Sequence, residues 1–600
     1  MRYNILGAAV LAGAAFTTAS AQLNKEITIE REIVPEVRAA SRLDIFPRTL
    51  TISSDKVNLD FLDYTTAGTF ANALRTLQPA STEAAIAQTP YRGYVDAGYF
   101  PAANVTVSAG YSILSDSLTA LNVWGQLNNI SYKDRPFTDC EKVNYNRFFG
   151  ALGVGFARRM GSYGTLSVST DFAFRSFKNL DALIMESDPD LEPLTGKTGQ
   201  GTVEWNIGAA WHGNNGSGLR YHAGADFGIF NFNRTSYLMQ LLGDGNRLPE
   251  DMVPEPVHQR HIGFDLGLSH TFGDRNRAGL DITADFLSYN SFCDPTVPGK
   301  SGSEDNSDGE YGFLAAPGSG KTIGILSINP YYNLLPQAHA VSLRIGAQVD
   351  VTFNYGKALH VAPDILLGIN PASSFGAWLK LGGGECLNSL KELSEFTPYI
   401  SPLFAYGTSN IPVDGELGLR VGPFKGVAIS VDLAYAAANS WLMPVYGEFV
   451  GVGFQASDLR SWKAGVHLTW NYRSIVALDA GFETRLQKDA SHAWLYWRDG
   501  ARSRLNASLT VRPIAALAID LGYTMSASRS MGLGQFGSYE ADERFCLKDR
   551  NLFDAGVSYA ITDAFTVFGR VENILDNKAY EAVGVPAQGL TGAVGFGWKF

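Results

Sequence analysis

The residues able to do chemistry are few and widely scattered. Four cysteines, Cys140, Cys293, Cys386 and Cys546, fall in stretches that read as long connections. In an oxidising compartment one or two disulfides would tie such loops together, and four cysteines allow three complete pairings that sequence does not distinguish. The nine histidines fall at no ligand spacing, so no metal site is assigned. Ala315-Ala316-Pro317-Gly318-Ser319-Gly320-Lys321-Thr322 imitates a phosphate loop, but it follows an acidic Gly/Ser stretch and leads into a strand. A working phosphate loop instead opens a helix whose N-terminus holds the anion. Glu304, Asn306, Asp308 and Gly309 imitate the start of a calcium loop, yet the position for the bidentate Glu is Ala315. A hydrolase needs a nucleophile held beside a base; no Gly-x-Ser-x-Gly elbow occurs. No catalytic residue and no cofactor is assigned, and the chain reads as a non-enzyme.

The elements that would position any site are strands. The chain has 600 residues, 63 of them Gly, with 12% aromatic and 18% charged residues, the last below the ~25% of ordinary soluble chains. Past the N-terminus no run approaches the ~20 apolar residues of a spanning helix. From Tyr91 onward, segments of strict alternation recur. Val203, Trp205, Ile207, Ala209 and Trp211 share one face, as do Val427, Ile429, Val431, Leu433 and Tyr435, and again Trp462, Ala464, Val466, Leu468, Trp470 and Tyr472. Successive side chains of a strand point to opposite faces, so each segment has one apolar and one polar or small face.

The connections decide between a soluble sandwich and a membrane barrel. About 22 segments are joined by short and long connections in turn, the pattern of an up-and-down antiparallel transmembrane barrel with short periplasmic turns and long extracellular loops. Long connections are expected near 180–200, 234–257, 292–321, 385–413, 436–460, 486–502, 527–550 and 575–589. The fold class is therefore all-β. The N-terminus agrees with export: Arg2, then apolar Ile5 to Phe16, then Ala19-Ser20-Ala21 as a cleavage site before Gln22. This divides the chain into 1–21, a signal peptide; 22–90, a periplasmic or lumen-filling segment; and 91–600, the barrel.

The last strand carries Phe596, Trp598 and Phe600 on one face, an aromatic-ended pattern expected to act as the insertion signal read by the barrel-assembly machinery. Just before it, Val571-Glu572-Asn573-Ile574-Leu575-Asp576-Asn577-Lys578-Ala579-Tyr580 is followed by Gly584 and Pro586. This stretch resembles the terminal strands of TonB-dependent outer-membrane receptors. The resemblance implies a 22-stranded barrel in a Gram-negative outer membrane, engaged in solute uptake or ligand binding. The family places a plug of ~130–150 residues before the barrel, whereas Gln22 to Pro90 spans 69 residues; a conventional plug is therefore not expected. Glu26-Ile27-Thr28-Ile29-Glu30 loosely resembles the segment that meets the energy-coupling protein.

Lumen-facing positions inferred from alternation are Asp171, Arg175, Arg220, Asp226, Asp265, Asp281, Asp285, Arg344, Asp350, Asp432, Arg473, Asp520, Asp554, Arg570 and Glu572, expected to pair mutually or remain solvated. Trp494, Tyr496 and Trp497, with Trp441 to Tyr446 in a neighbouring loop, suit an interfacial aromatic girdle or a contact platform for a ligand or partner. Leu387, Leu390 and Leu393 recur at helical spacing and predict a small loop helix against the barrel mouth or a surface partner. Expected partners are outer-membrane lipid and a surface lipoprotein or other outer-membrane protein. The net charge of −11 disfavours nucleic acid. A different reading is a sealed structural subunit of an outer-membrane complex.

Overall fold

The computed structural model describes residues 91–600 except 101–103, 138–139, 190–195, 215–217, 238–239, 241–254, 274, 293–319, 336–340, 448–450, 474, 489–493, 496–500, 530–531, 534–547 and 583. Ala19, Ala21, Gln22 and the whole 22–90 segment therefore lie outside the described residues, as do Cys293, Cys546, the calcium-loop look-alike, Tyr496, Trp497 and the side chain of Trp494.

One 24-stranded sheet contains two two-residue additions, Trp494–Leu495 and Gly532–Leu533, so 24 − 2 = 22 strands form the barrel wall. Each wall strand pairs antiparallel with its neighbours, and the first, Gly93–Phe100, pairs with the last, Thr591–Lys599, from Tyr94↔Lys599 to Tyr99↔Val594. Closure removes the free edges that lipid could not satisfy. The register also sorts the two faces. Ile207, Phe227 and Ile262 form one outward row, and Gly208, Asp226 and Gly263 the next inward row. Outward apolar residues stand bare in the isolated chain, including Leu266, Leu268, Leu417, Val431 and Trp462; this is the band that lipid covers. Phe596, Trp598 and Phe600 face outward in the same way.

Leu266, midway along His258–Phe272, gives a direct check of this face. Replacing Leu266 with Arg is expected to lower folding stability in bilayers by about 2–4 kcal/mol, whereas Ser269→Arg, on the lumen face of the same strand, is expected to be tolerated. Urea titration of folding into lipid vesicles reads both.

Ten connections at one rim are short, from residues 373–374 to 335–340, and the longer ones share the other rim. Four features depart from the sequence expectation. Residues 436–460 are not a loop: Val427–Gly447 and Gly451–Tyr472 pair as one hairpin to Gly447↔Gly451, so Trp441 to Tyr446 belong to a strand. Alternating apolar residues continue through that stretch, and 21 and 22 residues at ~3.3 Å each far exceed the ~30 Å hydrocarbon core. Second, two further connections at the long-loop rim, 101–103 and 354–358, are short like 448–450. Third, Arg473 is no lumen residue. It sits in the turn after Tyr472 with φ 52° and its guanidinium 5.4 Å from the centre of that ring. Cys386 likewise belongs to the strand Phe375–Leu387 rather than to a loop, with Ser409 O 3.3 Å from its Sγ.

Candidate functional site: a roofed lumen

The other fourteen inferred lumen residues face inward by register, and most are held in a polar lattice on the wall. His261 places Nδ1 3.0 Å from Asp226 and Nε2 3.3 Å from Asp285. Asn206 donates to Asp171 at 2.8 Å and to Glu204 at 2.7 Å. Arg344 donates to Asp364 at 2.7 Å while its guanidinium lies 3.9 Å from the Tyr331 ring centre. Asp350, fully buried, accepts from Ser327 Oγ at 2.6 Å and Glu385 N at 2.8 Å. Lys463 meets Asp432 at 3.3 Å, and Arg570 meets Glu572 at 2.6 Å. This is the paired interior expected of a barrel lumen.

Several large inward side chains lie flat along the wall because the strand beside them offers glycine. Trp124 crosses Gly153, where a Cβ would stand 2.5 Å from the indole, and Tyr94, Trp378 and Phe568 lie in the same way over Gly110, Gly418 and Gly595. Rings held against the wall do not narrow the passage.

The mouth is roofed instead by the loops. The connection 388–407 opens with helix α1, Leu390–Phe396, whose N-cap Ser389 accepts from Glu392 N at 3.1 Å. Leu390 and Leu393 are fully buried against Phe230, Phe232, Leu287 and Ile323 on the inner wall. The predicted leucine spacing is therefore a helix seated inside the rim, with Leu387 packed beside it. Polar contacts fix its position across the lumen from its root: Lys391 Nζ to Glu204 at 2.6 Å, Arg175 donating to Ser394 Oγ at 3.1 Å, and Leu390 N donating to Gln259 Oε1 at 2.6 Å. Beyond the helix, the chain joins the tall hairpin and a neighbouring loop. Val452 N donates to Tyr399 O at 2.9 Å, Ser401 N to Val452 O at 2.8 Å, and Val257 N to Pro402 O at 2.8 Å.

A second cluster roofs the side where the barrel closes. The connection 573–590 reaches over to the strands Thr119–Asp134 and Val143–Arg159. Tyr132 Oη donates to Pro586 O and Tyr145 Oη to Gly584 O, each at 2.8 Å, and Arg147 pairs with Glu581 at 2.8 Å. Arg529 anchors the near side, donating to Tyr580 O at 2.7 Å. Gly584 faces helix α2, Leu180–Ser187, where a side chain in its place would touch Ile184 and Leu180. Cys140, Phe137 and Val585 complete the cluster. Sequence reading missed these contacts; Tyr145 and Arg147 were legible only as inward positions of a strand.

Tyr399 carries the 388–407 connection into this second cluster, its ring 5.4 Å from Phe177, while the adjacent Ile400 belongs to the first. Burial pushes its phenol up to about 12, with Arg147 pulling the other way. A raised folded pKa means that this contribution is intact below the ordinary value of 10.0 and is lost as pH rises from there through about 12. Proteolysis of the roof loops is therefore expected to increase across that window, and Tyr399→Phe is expected to flatten the increase.

Lys321, the lysine of the phosphate-loop look-alike, opens the strand Lys321–Leu334 and lies 4.6 Å from the Phe292 ring centre. That placement makes no anion cradle.

No protein-family model matches the chain, and no curated protein matches it. Solved structures do. The siderophore receptor PirA from Acinetobacter baumannii aligns with a TM-score of 0.61 and 12% identity, over 85% of this chain and 80% of that one. A variant of the ferric enterobactin receptor PfeA from Pseudomonas aeruginosa, in complex with enterobactin, gives 0.61 and 11% over 86% and 82%. The copper transporter OprC gives 0.57 and 11% over 85% and 80%. At such identities the likeness is one of fold, and the fold is that of the TonB-dependent receptor barrels.

Proposed function

We propose that this protein resides in the outer membrane of a Gram-negative bacterium and captures a solute at a mouth that its own loops cover, passing it into the lumen. The observation that carries the reading is helix α1: an element of the chain itself is seated inside the rim by Lys391–Glu204, Arg175–Ser394 and a leucine contact. A few part-buried polar contacts and one apolar face can be released together by a ligand that prefers the open state. The receptor and transporter structures of the same fold support this use. Residues 1–21 would direct export, 22–90 would lie in the periplasm or the lumen, and coupling to an energy source would act through that segment. Disulfides among Cys140, Cys293, Cys386 and Cys546 would tie loops to the rim.

The second reading, a sealed subunit of an outer-membrane assembly, draws on the clasp of Arg147, Tyr132 and Tyr145 across the closing strands. Extraction in mild detergent separates the two. A monomer that conducts ions once the roof is loosened supports uptake; stoichiometric recovery with a lipoprotein or another barrel, and no conductance, supports the scaffold.

A further inference from the structure

We propose that the lumen wall carries a sugar-binding subsite centred on Trp378, with Lys380, Asp414 and Glu416 as its polar rim. The inference concerns the ligand class of the proposed uptake path and rests on that reading only for its biological use. Trp378 and Lys380 are inward residues of Phe375–Leu387, and Asp414, Glu416 and Gly418 are inward residues of its neighbour Thr408–Phe424. The indole lies across Gly418, where no side chain stands, and its Nε1 donates to Glu416 Oε1 at 2.8 Å. One ring face thus rests on the wall. The side chain remains partly exposed, which leaves its other face to the lumen.

A flat apolar face stacks well on the C–H face of a pyranose, provided hydrogen-bonding groups stand around it for the hydroxyls. Those groups are present and under-used. Lys380 is opposite Glu416 in register and has no ion pair among the described residues. Asp414, opposite Gly382, is 5% exposed and has neither a hydrogen bond nor an ion pair among the described residues. Lys380, Lys463 and Arg485 act on it only through space, so its oxygens accept no hydrogen bond until a donor arrives. Sugar hydroxyls supply donors to Asp414 and acceptors to Lys380. On the next strands Lys463 and Asp432 already pair at 3.3 Å. With Asp414, Glu416 and Asp432 beside Lys380, Lys463 and Arg485, the three anions balance the three cations and leave no cationic excess to hold a multiply charged anion; a neutral polyol fits that balance.

The full chain in detergent is titrated calorimetrically with maltotriose and with triacetylchitotriose. At least one is expected to bind, Trp378→Ala to weaken it about tenfold or more, and Trp378→Phe, which keeps a ring, to retain most of the affinity. Asp414→Asn is expected to weaken it less than Trp378→Ala does. Unboiled gel mobility confirms that each variant is folded. Absence of binding by the natural sequence to either sugar, or equal binding by folded Trp378→Ala, overturns the proposal. Because binding is read on solubilised protein, it succeeds or fails independently of whether solute crosses the membrane.

Discussion

Removing residues 389–406 and joining Asn388 to Gly407 through a short glycine link is expected to turn a nearly silent barrel into a conducting one. Planar bilayers loaded with the natural chain should show little steady current, and the deletion should raise it about tenfold or more, since barrels of ~16–18 strands already leave an aqueous channel. The deleted segment supplies Leu390, Leu393, Ile400, Leu403, Phe404, Ala405 and Tyr406 to the main buried cluster. It also carries Lys391 and Ser394, which reach the far wall at Glu204 and Arg175. The wall does not depend on it: the flanking strands pair through Leu387↔Thr408 and onward to Phe375↔Val421. Current that is unchanged by the deletion would mean that the roof is not what closes the mouth.

The second large effect is expected at the clasp. Arg147 and Glu581 have side chains only 15% and 16% exposed, so removing one partner strands the other in a poorly solvated site. Breaking such a pair costs about 3–5 kcal/mol, whereas replacing both partners by apolar residues is often neutral. Arg147→Met alone should therefore release the 573–590 connection and expose it to protease, and Arg147→Met combined with Glu581→Met should restore much of the protection. Tyr145→Phe, which loses one hydrogen bond to Gly584 O, should cost about 1 kcal/mol. The ordering matters more than the sizes. A single Arg147→Met variant as resistant as the natural chain would show that the clasp contributes no local stability.

The barrel was legible in the sequence because alternation has one physical cause. Lipid on one side and water on the other impose the same rule on each strand, from Val203–Trp211 to the outward aromatics Phe596, Trp598 and Phe600. The roof was legible only in part. Leu387, Leu390 and Leu393 announced a loop helix, since a short amphipathic helix carries its own period, and α1 is where they placed it. The partners of that helix were not legible. Gln259, Glu204 and Arg175 lie 131, 187 and 219 residues from Leu390, Lys391 and Ser394, and a long-range contact leaves no local pattern. The clasp was hidden for the same reason, as Tyr132 and Pro586 are 454 residues apart. The tall hairpin misled the reading in the other direction. A strand that continues past the membrane looks like a loop to any count based on bilayer thickness, although Trp441 to Tyr446 pair with the strand beside them.

The central claim is that loops of this chain cover the lumen, and thiol accessibility from outside tests it most directly. Ser169 is an exposed inward residue of Thr165–Lys178. With the four native cysteines replaced by serine, Ser169→Cys is treated in intact cells with a bulky, membrane-impermeant maleimide. The account predicts slow labelling under the complete roof and labelling faster by about tenfold or more once 389–406 are removed, as expected for opening a passage of this width. Equally fast labelling of both proteins would contradict it.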